Sequence, residues 1–176
     1  QLTEQLPKLT IKLLEKIQHQ ILPTPSRFHY IFSMRELSRV FQSILISEKM
    51  NFSCDNLLFL WKHEVERVFT DKLCRDCDKL EVGEIIDNLI QTNFDLFWTE
   101  YNLADIDEKT YFCNFQQPDK IDPETDIITP VRCYEKVKSL DKIRSRAYEL
   151  LKLYNDDNVT KKMNLVLFDD ALIRLM

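Results

Sequence analysis

The stretch Leu22–Gln42, LPTPSRFHYIFSMRELSRVFQ, decides how this chain is read. Pro23 and Pro25 stiffen the approach and stop any helix arriving from the N-terminal side. Ser33 and Glu36 have the S-x-x-E spacing of a capping box, in which the serine hydroxyl accepts from the third helical N–H and the glutamate reaches back to the N–H of the cap residue. Phe32 before the cap and Leu37 after it stand where a hydrophobic staple sets the angle of approach. The pattern predicts a helix from Met34 to about Ile46, with Met34, Leu37, Phe41, Ile44 and Leu45 as its core stripe. Arg35 then falls in the first turn, beside unpaired N–H groups and the positive end of the helix dipole, where a cation costs a few tenths of a kcal/mol up to about 1. Arg39 lies one turn further on the same face, and like charges four apart repel. An anion outside the helix reverses both penalties. A solvated two-arginine face, with Glu36 pairing with Arg39, accounts for the same pattern without one.

Working outward, Leu9, Leu13, Ile17 and Ile21 recur every four residues and predict a first helix from about Thr3 to Ile21. Ser47 to Asp55 reads as a loop. From Asn56, the positions Leu58, Trp61, Val65, Val68, Phe69 and Leu73 step by three and four, giving a long helix that ends near Cys77. A further helix carries Val82, Ile85, Ile86, Leu89 and Ile90 to about Asn93, followed by an aromatic patch at Phe94, Phe97, Trp98 and Tyr101. Asn102 to Lys138 breaks the helical period, with Pro118, Pro123 and Pro130 among polar and acidic residues. It reads as an extended excursion with short strand-like contacts at Tyr111–Phe115 and Ile127–Ile128. Leu140, Ile143, Ala147, Leu150, Leu151 and Tyr154 mark an amphipathic helix, with Asn155 to Lys162 as a turn. Leu165–Phe168, then Asp169, Asp170 and Ala171, start one more element.

The fold class is therefore mainly α, an antiparallel helical cluster with one long irregular excursion. Its segments are 1–101, a helical body; 102–138, the excursion; and 139–176, a helix and linker. With 176 residues, 44% of them hydrophobic and 11 of them phenylalanine, the chain can bury a real core. Its net charge of −5 argues against nucleic acid or an anionic membrane as a main partner. No apolar run approaches the roughly 20 residues of a membrane span, and the start lacks a signal-peptide pattern. The chain reads as a piece of a longer protein.

A single glycine is the most restrictive feature of the composition. Loops that wrap phosphate with backbone N–H groups need glycine to reach the required dihedrals. Neither a Walker A loop nor a dinucleotide fingerprint can be written here, so the chain is not expected to hydrolyse ATP alone. The five scattered cysteines fit a reducing compartment. Cys74-Arg75-Asp76-Cys77 has the spacing of a zinc or redox pair but lacks a second pair, which leaves a helix-end pair of thiols as the plainer reading. His63-Glu64 resembles half of an H-E-x-x-H zinc helix, yet Arg67 stands where the second histidine belongs. His63 is expected to pack at a helix interface, and His29 to make a structural hydrogen bond. Asp169 and Asp170, being adjacent, point apart on a helix.

Thr24, Pro25, Arg27, His29, Tyr30, Phe32, Met34, Arg35, Glu36, Ser38, Arg39, Val40 and Gln42 match the pattern TP-x-K/R-x-HY-x-F-x-L/M-R-D/E-x-SR-V-x-Q-G, with Ser43 in place of the usual glycine. That pattern resembles the helical lid of the third AAA+ module in axonemal dynein heavy chains. Three further segments are similar to that family, in the family's order: Leu60-Trp61-x-His63-Glu64 with Arg67-Val68-Phe69 and Asp71-Lys72-Leu73; Tyr134 and Leu153-Tyr154-Asn155; and Leu165-Val166-Leu167-Phe168-x-Asp170-Ala171. The middle, Ala104 to Thr129, matches weakly, and Leu172-Ile173-Arg174 stands where a histidine is usual.

The resemblance implies that Arg35, or Arg39 as the alternate, is the sensor that a lid presents to nucleotide phosphates. It implies that Leu165, Val166, Leu167 and Phe168 link to the fourth module. ATP or ADP with magnesium would belong to the parent motor, with no cofactor for the isolated chain. Partners would be the rest of the motor ring and, through the parent protein, microtubules and other dynein chains, in the cytoplasm and cytoskeleton of a cilium or flagellar axoneme. The aromatic patch and acidic loop would be interface, and the isolated piece is expected to self-associate. A purely structural helical interaction domain with no nucleotide role is the alternative.

Overall fold

A computed structural model of the chain describes residues 2–47, 54–93, 110–118, 120–121, 128–129 and 134–176. It divides into two compact units, Gln1–Lys109 and Thr110–Met176.

In the first unit the four-residue period of leucine and isoleucine produces helix α1, Leu2–Gln20, which ends three residues before Pro23. Pro25 opens a short 3-10 turn, Pro25–Arg27, where its missing N–H costs nothing. Helix α2 spans Met34–Ile46, as its capping box predicts. Helix α3, Cys54–Val65, runs straight into a π-helical turn, Glu66–Thr70, and helix α4 spans Asp76–Asn93. The long helix expected to reach Cys77 therefore stops at Thr70. The widened turn still brings Val68 and Phe69 inward, so the apolar spacing that suggested one helix is satisfied by a π turn and the loop after it.

These elements share one core. Leu9, Leu13, Ile17 and Ile21 of α1 and its end meet Leu58, Trp61 and Val65 of α3, Val68 and Phe69, and Val82, Ile86 and Ile90 of α4. Trp61 is fully buried, and its ring N–H donates to Thr10 Oγ1 at 2.9 Å, while the Thr10 hydroxyl donates to the Leu6 carbonyl at 2.7 Å. A buried indole thus has its partner inside the core. On α2 the buried stripe is narrower than the sequence implied. Val40 is buried, with Leu37 and Ile44 packed beside it, whereas Met34 and Leu45 are exposed. Those two flank the stripe at its ends, beyond the arc that one packed face covers.

In the second unit, part of the excursion pairs as two antiparallel ladders: β1 (Phe112–Cys113) with β4 (Glu135–Lys136), and β2 (Lys120–Ile121) with β3 (Ile128–Thr129). Helix α5, Leu140–Asp157, and helix α6, Asp169–Leu175, follow. Cys113, Ile143 and Met176 form one small core; Ala147, Leu167 and Leu172 form another. Helix α5 continues past Asn155, which the sequence placed in a turn. The Asn155 side chain accepts from Met163 N–H at 2.7 Å and donates to the Met163 carbonyl at 2.9 Å, and Tyr148 Oη accepts from Leu167 N–H at 3.3 Å. Two side chains of one helix thereby hold the extended run before α6. Leu167 is buried there, while Leu165, Val166 and Phe168 are exposed.

Ile17 is fully buried in the first core. Ile17→Ala is expected to lower unfolding stability by about 2–5 kcal/mol in a urea titration; an unchanged midpoint contradicts this packing.

Candidate functional site

Arg35 and Arg39 are positioned by whatever fixes the start of α2, and four separate parts of the first unit converge there. At the cap, Ser33 Oγ accepts from Arg35 N–H at 3.3 Å, and the Glu36 carboxylate accepts from the Ser33 N–H and hydroxyl, both at 2.8 Å. Lys72, just after the π turn, lies 3.2 Å from Glu36 Oε1, donates to the Ile31 carbonyl at 2.8 Å, and sits 4.1 Å from the centroid of the Phe32 ring. From α1, Gln18 donates to the Phe32 carbonyl at 2.8 Å. Burial alone raises the Glu36 pKa, but the hydrogen bonds from Ser33 and Lys72 outweigh it and bring it down to about 2.

The fourth hold is Asp78, in the first turn of α4. Arg27 Nη1 lies 3.2 and 3.1 Å from its two carboxylate oxygens, and the Tyr30 hydroxyl donates to it at 2.9 Å. Tyr30 Oη in turn accepts from Cys74 N–H at 2.9 Å. Burial works to raise the Asp78 pKa, yet the bonds from Tyr30 and Arg27, the Arg27 charge and the Cys77 thiol together hold it below the usual carboxylate range. In the sequence Arg27 and Tyr30 stand out only as pattern matches, and Asp78 belongs to no motif. A signal was present: Asp78 shares the helical face of Val82, Ile85 and Leu89, so an aspartate at the head of that stripe had to find a partner.

Glu36 is thus held by Ser33 and Lys72 rather than by Arg39. Both Arg35 and Arg39 are exposed, and neither forms an ion pair with another described residue. Arg39 also lines a groove of about 510 Å³ with Gln42, Ser43, Arg67, Val68, Asp71 and Lys72; Arg35 is not among the lining residues. Arg67 comes from the π turn. Its guanidinium lies 2.7 Å from the carboxylate of Glu64, a fully buried residue, and 3.0 Å from Ser43 Oγ, while the Ser43 hydroxyl donates to the Arg39 carbonyl at 3.1 Å. The serine that replaces a glycine in the pattern therefore ties α2 to the π turn.

His29 Nε2 is 3.3 Å from Cys74 Sγ, and its ring meets Tyr30 edge-on. Cys74 lies in the loop before α4 and Cys77 in that helix's first turn, so the two thiols do not close the end of α3. His63 is buried. Among the described residues no cluster of His, Cys, Asp and Glu could hold a metal. Phe94, Phe97, Trp98 and Tyr101 lie outside the described residues.

Residues 6–104, more than half of the chain, match the AAA+ lid domain family. The chain belongs to that family. Nearly all of the lid chain is also similar to parts of dynein heavy chains. It is 34% identical to the dynein gamma chain of the flagellar outer arm of Chlamydomonas reinhardtii, over 96% of this chain and 4% of that one. It is 32% identical to dynein axonemal heavy chain 5 of Rattus norvegicus, over 96% and 5%, and 35% identical to dynein axonemal heavy chain 1 of Mus musculus, over 97% and 4%. The lid chain thus spans about one twentieth or less of the length of these relatives.

Because its pKa is depressed, Glu36 contributes stability that is fully present above its ordinary value of 4.5 and is lost as pH falls towards 2. Glu36→Ala is expected to cost about 1 kcal/mol at neutral pH, with the gap to the parent closing over that acidic window in denaturant titrations. A gap independent of pH contradicts the assignment.

Proposed function

We propose that the chain is the lid and inter-module linker of a motor ATPase of the axonemal dynein heavy chain type, acting at its third AAA+ module. The observation that carries this reading is the occupied state of Glu36. With its carboxylate committed to Ser33 and Lys72, Glu36 does not neutralise Arg39, and Arg35 is exposed in the first turn of the same clamped helix, beside N–H groups that point the same way. A guanidinium there offers forked, always-charged donors that match phosphate oxygens. Arg35 senses nucleotide held by the large part of the module, and Arg39 is the alternate contact. The role is coupling: an anion contacted in one lid position and lost in another biases the equilibrium between them. ATP, magnesium and turnover belong to the parent motor. Leu165–Phe168 leads into the fourth module, and the parent works in a ciliary or flagellar axoneme with the rest of its ring, with microtubules and with other dynein chains.

Exposure of both arginines also fits a structural helical domain whose charged face meets only water, and one experiment separates the two. Arg35→Ala in the whole heavy chain is expected to weaken nucleotide retention at this module by on the order of 1–3 kcal/mol, the range of a charged hydrogen bond, measured by release of a fluorescent nucleotide. Normal retention together with parental motility and nucleotide dependence makes the arginine a solvated-face residue.

A further inference from the structure

The geometry points to Cys74 and Cys77 as a reversible dithiol–disulfide couple, with His29 positioned to take the proton from Cys74. Both thiols are free and exposed, whereas Cys113 is buried and its thiol pKa is pushed up by that burial. The C-x-x-C spacing straddles the start of α4: the Lys79 N–H donates to the Arg75 carbonyl, which makes Arg75 the cap, Cys74 the residue before it, and Cys77 a member of the first turn. The metal reading of the same motif lacks a third ligand, since no group of three donors able to hold an ion exists among the described residues. What the motif does have is an imidazole nitrogen 3.3 Å from Cys74 Sγ.

With hydrogen peroxide as oxidant, the Cys74 sulfur attacks one peroxide oxygen and the O–O bond breaks. Its proton passes through His29 to the departing hydroxide, giving water and a sulfenic acid. The Cys77 sulfur then attacks the Cys74 sulfur, the S–O bond breaks, and the hydroxide leaves with the Cys77 proton as a second water. Two thiols lose two electrons and two protons, and peroxide becomes two waters. A dithiol reductant reverses the step by exchange. The disulfide acts on the clamp of α2, because the reduced Cys77 thiol is 3.6 Å from Asp78 Oδ1 and Cys74 N–H donates to Tyr30, which itself holds Asp78.

Sequence makes the test direct. Trypsin cuts after Lys72, Arg75 and Lys79, which separates Leu73-Cys74-Arg75 from Asp76-Cys77-Asp78-Lys79. The full chain is exposed to peroxide, its remaining thiols are alkylated, and the digest is analysed by mass spectrometry. The expected result is the two peptides joined, lighter than their sum by two hydrogens, and separate again after dithiothreitol. Cys77→Ser is expected to leave Cys74 as a sulfenic acid captured by dimedone. His29→Gln is expected to slow disulfide formation roughly tenfold and to slow alkylation of Cys74 while leaving that of Cys77 unchanged. Separate peptides carrying alkylated or irreversibly oxidised sulfur, or Cys74 joined to another cysteine or a second chain, overturn the couple. Equal changes at both thiols in His29→Gln overturn the role of the imidazole.

Discussion

Asp78 is the constraint on which the arginine-bearing end of the lid depends. A carboxylate at the head of an apolar helical stripe is costly unless it is paired, and here it takes a guanidinium and a phenol from the segment that leads into α2. That segment has no regular structure apart from one 3-10 turn and the turn hydrogen bonds from Tyr30 N–H to the Arg27 carbonyl and from Ile31 N–H to the His29 carbonyl, so side chains set its place against the other elements. Arg27 also reaches back to Thr24 Oγ1 at 3.3 Å and lies 5.4 Å from the centroid of the Tyr30 ring, so charge, hydrogen bonds and ring contact act on one short piece of chain. Lys72 and Gln18 secure its far end at Ile31, Phe32 and Glu36. A short irregular stretch is thereby held to α1, to α4 and to the residues after the π turn.

The π turn gives those contacts their place. It lets Phe69 stack on Phe32, with ring centroids 5.9 Å apart, while Arg67 of the same turn reaches Glu64 and Ser43. One irregular turn therefore supplies both an apolar anchor beneath the start of α2 and a cation in the groove beside Arg39. The wider π geometry turns successive side chains through a different arc from an α-helix. Regular continuation of α3 would redirect these neighbours relative to one another.

Much of this was legible in the sequence wherever the signal was local. The capping box fixes the start of α2 at Met34, since Ser33 and Glu36 are both determinant and consequence of the helix start. Apolar periods placed α1 and α4 for the same reason. The sequence could not show that Asp78 answers Arg27 across 51 positions, because separation along the chain carries no information about which charges meet. Nor could it show the role of Asn155, whose side chain acts on the backbone of Met163. The π turn escaped because Val65, Val68 and Phe69 keep a spacing that an α-helix also satisfies. The resemblance named Arg35 and Arg39; the structure adds that Glu36 is engaged elsewhere and that Arg39, unlike Arg35, borders a groove.

Side chains of other elements, Asp78 first among them, hold the segment leading into α2 and so the position of Arg35. Hydrogen–deuterium exchange of Asp78→Ala against the parent tests this most directly. The expected result is faster exchange across residues 27–40, with the amides of α1 and of α3 retaining their protection. Unchanged protection of residues 27–40 in a variant that has lost the carboxylate contradicts the account.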